Sequence, residues 1–458
     1  MTPYGSAVEQ TQAHLEQSER LNPRLNALIA IRRDQAIAQA QEADRIASRG
    51  ESMGVLHGMT VSVKDNIDIA GEPTTAGAEF LRDNLAARDA TVVQRLRQAG
   101  AILVSKANMA ELAFGSRSYS AVGGQCRNPW NDRNIPGGSS GGSAVSVAAD
   151  MCTGSLGTDT GGSVRLPSCY NGVSGLRPTL GRIPNTGVVP VSEHYDTVGP
   201  IARSVYDVAR LFSVLAGYDA ADGVSVDRPV PNFLPHLHAG IQGRRIGLPG
   251  NHYFEALGPG VGEAVLAGAR ILEQAGAVLV DIHVPLAGEA HLHQSRAVFS
   301  DICHQFDDAL TNRPESITAS VVERMRHGLA VTGVQYAEAL AFRNRYRVML
   351  REIYSQVDIV LSPTAPQTAP LIDDGANLLE ATKASTRNTY AGSVGALPGL
   401  SVPCGFDAQG LPIGMQLEAA WWQEDLLFQA GICLLYTSDA ADEGLGGDLG
   451  GRRIIKKK

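Results

Sequence analysis

The chain has no run of about 20 apolar residues, the length a membrane-spanning helix needs. Its opening stretch, Met1 to Arg20, is polar and lacks the apolar core of a secretory signal, so the cytoplasm is the expected compartment. The six cysteines, at positions 126, 152, 169, 303, 404 and 433, include no Cys-x-x-Cys pair. That spacing offers no zinc site and suits a reducing compartment, where they act as small buried hydrophobes. An excess of basic charge is missing too. The net charge of −8 argues against nonspecific nucleic-acid binding, which depends on lysine and arginine meeting phosphates. Before residue 433 there is no internal repeat and no low-complexity segment.

What is present is a globular composition, 44% hydrophobic and 19% charged over 458 residues. Such a length makes two or three average domains, or one large α/β unit. Residues 6–49, rich in Ala, Gln, Glu and Arg, predict two helices meeting at Leu21-Asn22-Pro23. The apolar run Val55 to Val63 predicts a strand with Lys64 at its end. A helix over Asp89 to Ala99, stopped by Gly100, leads into a buried parallel strand at Ala101 to Val104. Gly187 to Val191 predicts a strand and Ser204 to Ala216 a helix, with Asp219 to Pro235 as the best linker candidate. Further strands at Arg245–Leu248, Ala277–Ile282, Asp358–Thr364 and Gly399–Gly405 alternate with helical stretches at 260–275 and 314–355. This alternation predicts α/β layering with a mixed or parallel sheet.

The chemistry is concentrated in three segments. One is Gly137-Gly138-Ser139-Ser140-Gly141-Gly142-Ser143, which runs into an apolar helix at Ala144 to Ala149. A second is Gly157-Thr158-Asp159-Thr160-Gly161-Gly162-Ser163-Val164-Arg165-Leu166-Pro167, and the third is Val61-Ser62-Val63-Lys64-Asp65-Asn66. Glycine pairs let the backbone bend sharply and bring its N–H groups close to a substrate. A lysine and two hydroxyls suffice for acyl transfer if the lysine is neutral, drawing a proton from one serine through the other. Taken alone, Gly-Gly-Ser is ordinarily a flexible turn and a single lysine a solvated charge. A phosphate-cradling loop is excluded because no Gly-Lys-Ser/Thr follows the glycines.

Together these segments resemble the amidase signature family, whose members cleave amides with a Ser-Ser-Lys triad. The resemblance covers about residues 20 to 432. It implies a large mixed β-sheet sandwiched between layers of α-helices, with an N-terminal helical segment over 1–50 and an amidase domain over 51–432. By this match Ser163 is the nucleophile, Ser139 the bridging serine and Lys64 the base. Sequence alone does not separate Ser139 from Ser140; the family motif does. Backbone N–H groups of Thr160, Gly161 and Gly162, with that of Ser163, would form the oxyanion hole. Asn108 to Phe114 resembles the segment lining the acyl pocket, so Ala113 would touch substrate. Lysine normally titrates near 10.4, so a basic Lys64 requires burial in an apolar setting. Asp65 would oppose that shift, but neighbours on a strand face opposite ways. Asp159 and Arg165 are expected to pair and brace the nucleophile loop. His57 and His194 are the alternative bases, without a recognisable Ser-His-Asp spacing.

The expected activity is hydrolysis of a linear amide C–N bond on a small-molecule substrate, with no metal or organic cofactor, no nucleic acid and no membrane. The chain would act alone or as a homodimer. One alternative is the glutaminase (A) subunit of an aminoacyl-tRNA amidotransferase, working with partner subunits. Another is a noncatalytic binding protein on the same fold, disfavoured because Lys64, Ser139 and Ser163 are all retained. Specificity is expected from 290–345 and 370–390, where Arg387 either binds a carboxylate or braces a helix. From Cys433 the chain changes character, reading Cys-Leu-Leu-Tyr-Thr-Ser-Asp-Ala-Ala-Asp-Glu before a glycine-rich stretch and Lys456-Lys457-Lys458. That string looks like a translated sequencing adaptor, so 433–458 is read as a non-native tail.

Overall fold

Strand β3 (Ile102–Ala107) shows how the molecule is layered. Its alternate residues go to different cores: Ile102 and Val104 join Leu15, Ala36, Ala40 and Val147, whereas Leu103 joins Val61, Val63, Leu211 and Leu215. Side chains alternate across a strand, so both faces of the sheet are covered. Each large aliphatic side chain buried in this way stabilises the fold by about 1.5–3 kcal/mol. The computed structural model describes residues 5–442.

The sheet has 11 strands. Besides β3 these are β1 (Leu28–Ile31), β2 (Thr60–Lys64), β6 (Gly154–Asp159), β7 (Ser174–Arg177), β8 (Thr197–Ala202), β9 (Arg245–Pro249), β10 (Val278–Ile282), β11 (Ile359–Pro363), β12 (Gly399–Phe406) and β13 (Pro412–Ala419). A separate ribbon pairs β4 (Tyr119–Ser120) with β5 (Gly124–Gln125). The order is β1-β3-β2-β6-β8-β7-β12-β13-β11-β9-β10. Parallel pairs β3/β2/β6 and β11/β9/β10 form the two wings, and antiparallel strands join them. This is the mixed sheet with helical layers that the sequence implied.

Several elements differ from the sequence reading. The first helix does not stop at Pro23 but runs Ala7–Leu25, and Asn26 ends it in the left-handed region (φ 50°). Pro23 lies in the last turn, where the loss of one N–H disturbs little helix beyond it. The next element is β1, an edge strand antiparallel to β3, and only then the helix Arg33–Ala47. Gly187 to Val191 is not a strand and makes one bridge, Ile67 to Val188. The Val188 and Val189 amides turn instead to the Asn185 and Asn66 carbonyls. Strands β6, β7, β8 and β13 had no forecast. In β6 an added Cβ at Gly157 would sit 2.7 Å from Ser140 Oγ, so the strand needs glycine where the facing helix approaches.

The segment 219–235 packs on the body rather than linking two units. Asp219 accepts from Thr91 Oγ1 at 2.6 Å, and the Val226 amide donates to the Gly181 carbonyl at 3.0 Å. At the far end one helix spans Glu424–Asp442, and Leu434 is buried in the main core. The remainder of the adaptor-like stretch, from 443, lies outside the described residues.

Candidate active site

Parallel neighbours β2 and β6 place their carboxyl ends side by side, where ligand sites of α/β sheets gather. Lys64 is the last residue of β2, and Thr158 and Asp159 end β6. The chain then turns through Thr160-Gly161-Gly162-Ser163 into the helix Arg165–Asn171. Ser139 arrives from the loop before the helix Gly141–Ala148. That helix is pinned to β6 by Ser140 Oγ, which donates to the Thr158 carbonyl (3.1 Å), and by Ser143 Oγ, which donates to the Leu156 carbonyl (2.9 Å). The Ser140 amide donates to the Ser163 carbonyl at 3.2 Å, tying the two serine loops together.

Lys64 Nζ lies 2.7 Å from Ser139 Oγ and 2.7 Å from Thr158 Oγ1. Its side chain is wholly buried. Burial pulls its pKa down to about 7, against the opposing pull of Asp196 and Asp159. A neutral amine there donates to Thr158 and offers its lone pair to the Ser139 hydroxyl. Asp65 faces the other way and pairs with Lys106 at 3.1 Å. Thr158, which the sequence reading left without a role, is the second partner that aims the lysine.

The loop that carries Ser163 is wound around Asp159. Its carboxylate accepts from the Gly162 amide (2.8 Å), the Val164 amide (3.1 Å), Arg165 Nε (3.1 Å) and an Arg177 guanidinium nitrogen (3.0 Å). Burial alone would raise this carboxyl, but Arg165 and Arg177 outweigh it and hold it well below the usual carboxylate range. Arg165 reaches on to Gln416 (2.9 Å), Glu418 (3.3 Å) and Ser393 (2.7 Å). Gly162 has φ +129°, and a Cβ there would fall 2.2 Å from Thr389 Oγ1. Its amide is engaged by Asp159, whereas among the described residues the Gly161 and Ser163 amides have no protein acceptor.

Ser163 is half-buried and opens on a cavity of about 30 Å³. Ala113, Gly138, Thr160 and Gly161 form its wall beside the serine. The wall also holds Gln294, Arg324 and Tyr390, with Gln294 and Tyr390 packed beside Gly161; the sequence reading gave their regions, 290–345 and 370–390, but not these residues.

The Amidase family profile matches residues 9–428. The chain belongs to the amidase family. Relatives include the A subunit of the glutamyl-tRNA(Gln) amidotransferase of Thermosynechococcus vestitus, 35% identical over 450 residues, spanning 92% of this chain and 93% of that one. Among solved structures, one described as a vestigial protein complex revealing the origins of an s-triazine catabolic enzyme has a TM-score of 0.90 at 32% identity, covering 94% of this chain and 95% of that one. The native peptide amidase of Stenotrophomonas maltophilia has a TM-score of 0.83 at 30% identity, covering 95% of this chain and 94% of its own.

In this amidase-family chain the other sequence candidates lie off the site. Arg387 donates to the Glu255 carbonyl and to Asn388 Oδ1 (3.3 Å), bracing a loop outside the cavity wall. His57 precedes β2, at the end of the strand away from Lys64, and its Nδ1 accepts from the Met53 amide at 3.2 Å. His194 packs edge-on against Tyr195. Cys169 is buried against Gly414, and burial pushes its thiol up to about 12.

Proposed function

We propose that this chain is an amidase that hydrolyses a carboxylic amide through an acyl-enzyme on Ser163. The observation that carries this reading is a buried Lys64 with a pKa near 7, hydrogen-bonded at 2.7 Å to Ser139. Neutral Lys64 takes the Ser139 proton while Ser139 takes that of Ser163, and Ser163 Oγ forms a bond to the amide carbon. Charge on the carbonyl oxygen meets the Gly161 and Ser163 amides, each such donor being worth about 3 kcal/mol. As the C–N bond breaks, the relay returns the proton to the leaving amine. Water then attacks the ester, and the same relay carries its proton. The cytoplasm is the compartment we assign to it.

The test is a pH profile combined with acyl trapping. Below an apparent pKa of about 7, kcat/KM should fall tenfold per pH unit because charged lysine cannot accept a proton. Lys64→Arg should be inactive, since guanidinium stays protonated. Mass spectrometry should place the acyl group on the peptide holding Ser163. A flat profile from about pH 5 to 9, an active Lys64→Arg or an adduct on Ser139 would overturn the assignment.

The relatives named as A subunits of an amidotransferase support a second reading, a glutaminase that serves partner subunits. Release of ammonia from glutamine that requires those subunits would favour it. Turnover of simple amides by the isolated chain would favour the first.

A further inference from the structure

Two groups that line the cavity are left with unmet bonding capacity. Arg324, on the helix Ala319–Leu329, is 4% exposed. Its guanidinium carbon lies over the Phe114 ring, 3.9 Å from the centroid, and 4.9 Å from the centroid of Phe299. Its Nε has no hydrogen-bond partner, and Tyr390 is the polar group that acts on it; among the described residues no carboxylate pairs with it. Arginine stays charged when buried, so an unpaired one is costly unless an anion arrives. The planar fork suits a carboxylate, which it can grip with two parallel hydrogen bonds.

The second group is Gln294, which is fully buried. Its Nε2 donates to the Thr160 carbonyl at 2.7 Å, and that contact fixes the amide's orientation, because a carbonyl only accepts. Its Oε1 therefore faces away from that bond and is left without a donor. The cavity that Ser163 lines thus also offers a cation and a bare acceptor. No aspartate or glutamate is among the residues that line it.

We infer that the substrate is a small amide carrying a free carboxylate and no ammonium group. Arg324 binds the carboxylate, and Gln294 Oε1 accepts from an N–H of the same molecule. The scissile carbonyl is then held in the cavity that Ser163 also lines. Nothing on the cavity wall balances the ammonium of an amino acid such as glutamine. This rests on the amidase reading and sharpens it.

The test compares succinamate, butyramide and glutamine with the wild-type chain and with Arg324→Gln and Arg324→Lys. The wild type should prefer succinamate to butyramide by about 100-fold in kcat/KM, the scale of a desolvated charge pair. Arg324→Gln should close most of that gap, chiefly through KM, and Arg324→Lys should restore part of it. Equal use of butyramide, or a preference for glutamine, by the wild type would overturn the inference, whatever the variants do. If no amide is turned over, the amidase reading fails. Calorimetry on Ser163→Ala then decides the anion site alone: tighter binding of succinamate than of butyramide supports it, and equal binding refutes it.

Discussion

Lys64 is held neutral at a cost that can be measured apart from activity. Its folded pKa of about 7 lies below the unfolded value near 10.4, so the folded chain binds fewer protons between those limits. The sign follows from linkage. The penalty is complete below pH 7, on the order of 4 kcal/mol, and disappears as pH rises through 10.4. Stability of the wild type relative to Lys64→Met should therefore increase by about 1.4 kcal/mol per pH unit across that window. Urea midpoints of both proteins at pH 7, 8 and 9 check this, and parallel curves would show that the lysine is charged in the fold. Gly162 gives a steric counterpart at the same scale. With φ +129° and Thr389 in the way, Gly162→Ala should abolish turnover while leaving most of the fold's melting temperature, as the strain is confined to one loop.

At the scale of elements, β6 and the loop after it act as one piece because Asp159 collects donors from the loop and from two arginines. Asp159→Asn should leave Arg165 and Arg177 buried without full compensation, costing about 3–5 kcal/mol. It should also lower kcat more than it raises KM, because the residue positions Ser163 without touching substrate. Calorimetric melting together with steady-state kinetics would check both effects. These elements also show what the sequence could reveal. Lys64, Ser139 and Ser163 stand in glycine-rich segments with a recognisable order, so their neighbourhood could be read directly. β3 was legible because it opens on Ile102-Leu103-Val104, and β2 in part, since only Thr60–Lys64, the end of the forecast Val55–Val63 run, is strand. β6 was not, because its Gly-Ser-Leu-Gly-Thr-Asp composition reflects close packing against a helix rather than strand propensity. Arg324 and Gln294 fell within 290–345, where specificity was expected, but neither was legible as a residue. They sit on ordinary amphipathic helices, and only tertiary packing turns them toward Ser163.

Across the whole molecule, the first and last described helices are built into the core that supports the site. Gln10 Nε2 donates to Thr153 Oγ1 at 2.8 Å beside β6, and Leu434 closes the apolar cluster under β12 and β13. Leu434→Ala should cost about 2–4 kcal/mol, read as a lowered denaturation midpoint. The bracing of Arg165 by Gln416 and Glu418 bridges 251 and 253 positions of sequence. A chain emerging from the ribosome therefore exposes the Ser163 segment long before the strand that braces it has been made. The loop around Ser163 thus gains its buried bracing only through a contact of very long sequence range, formed late in folding.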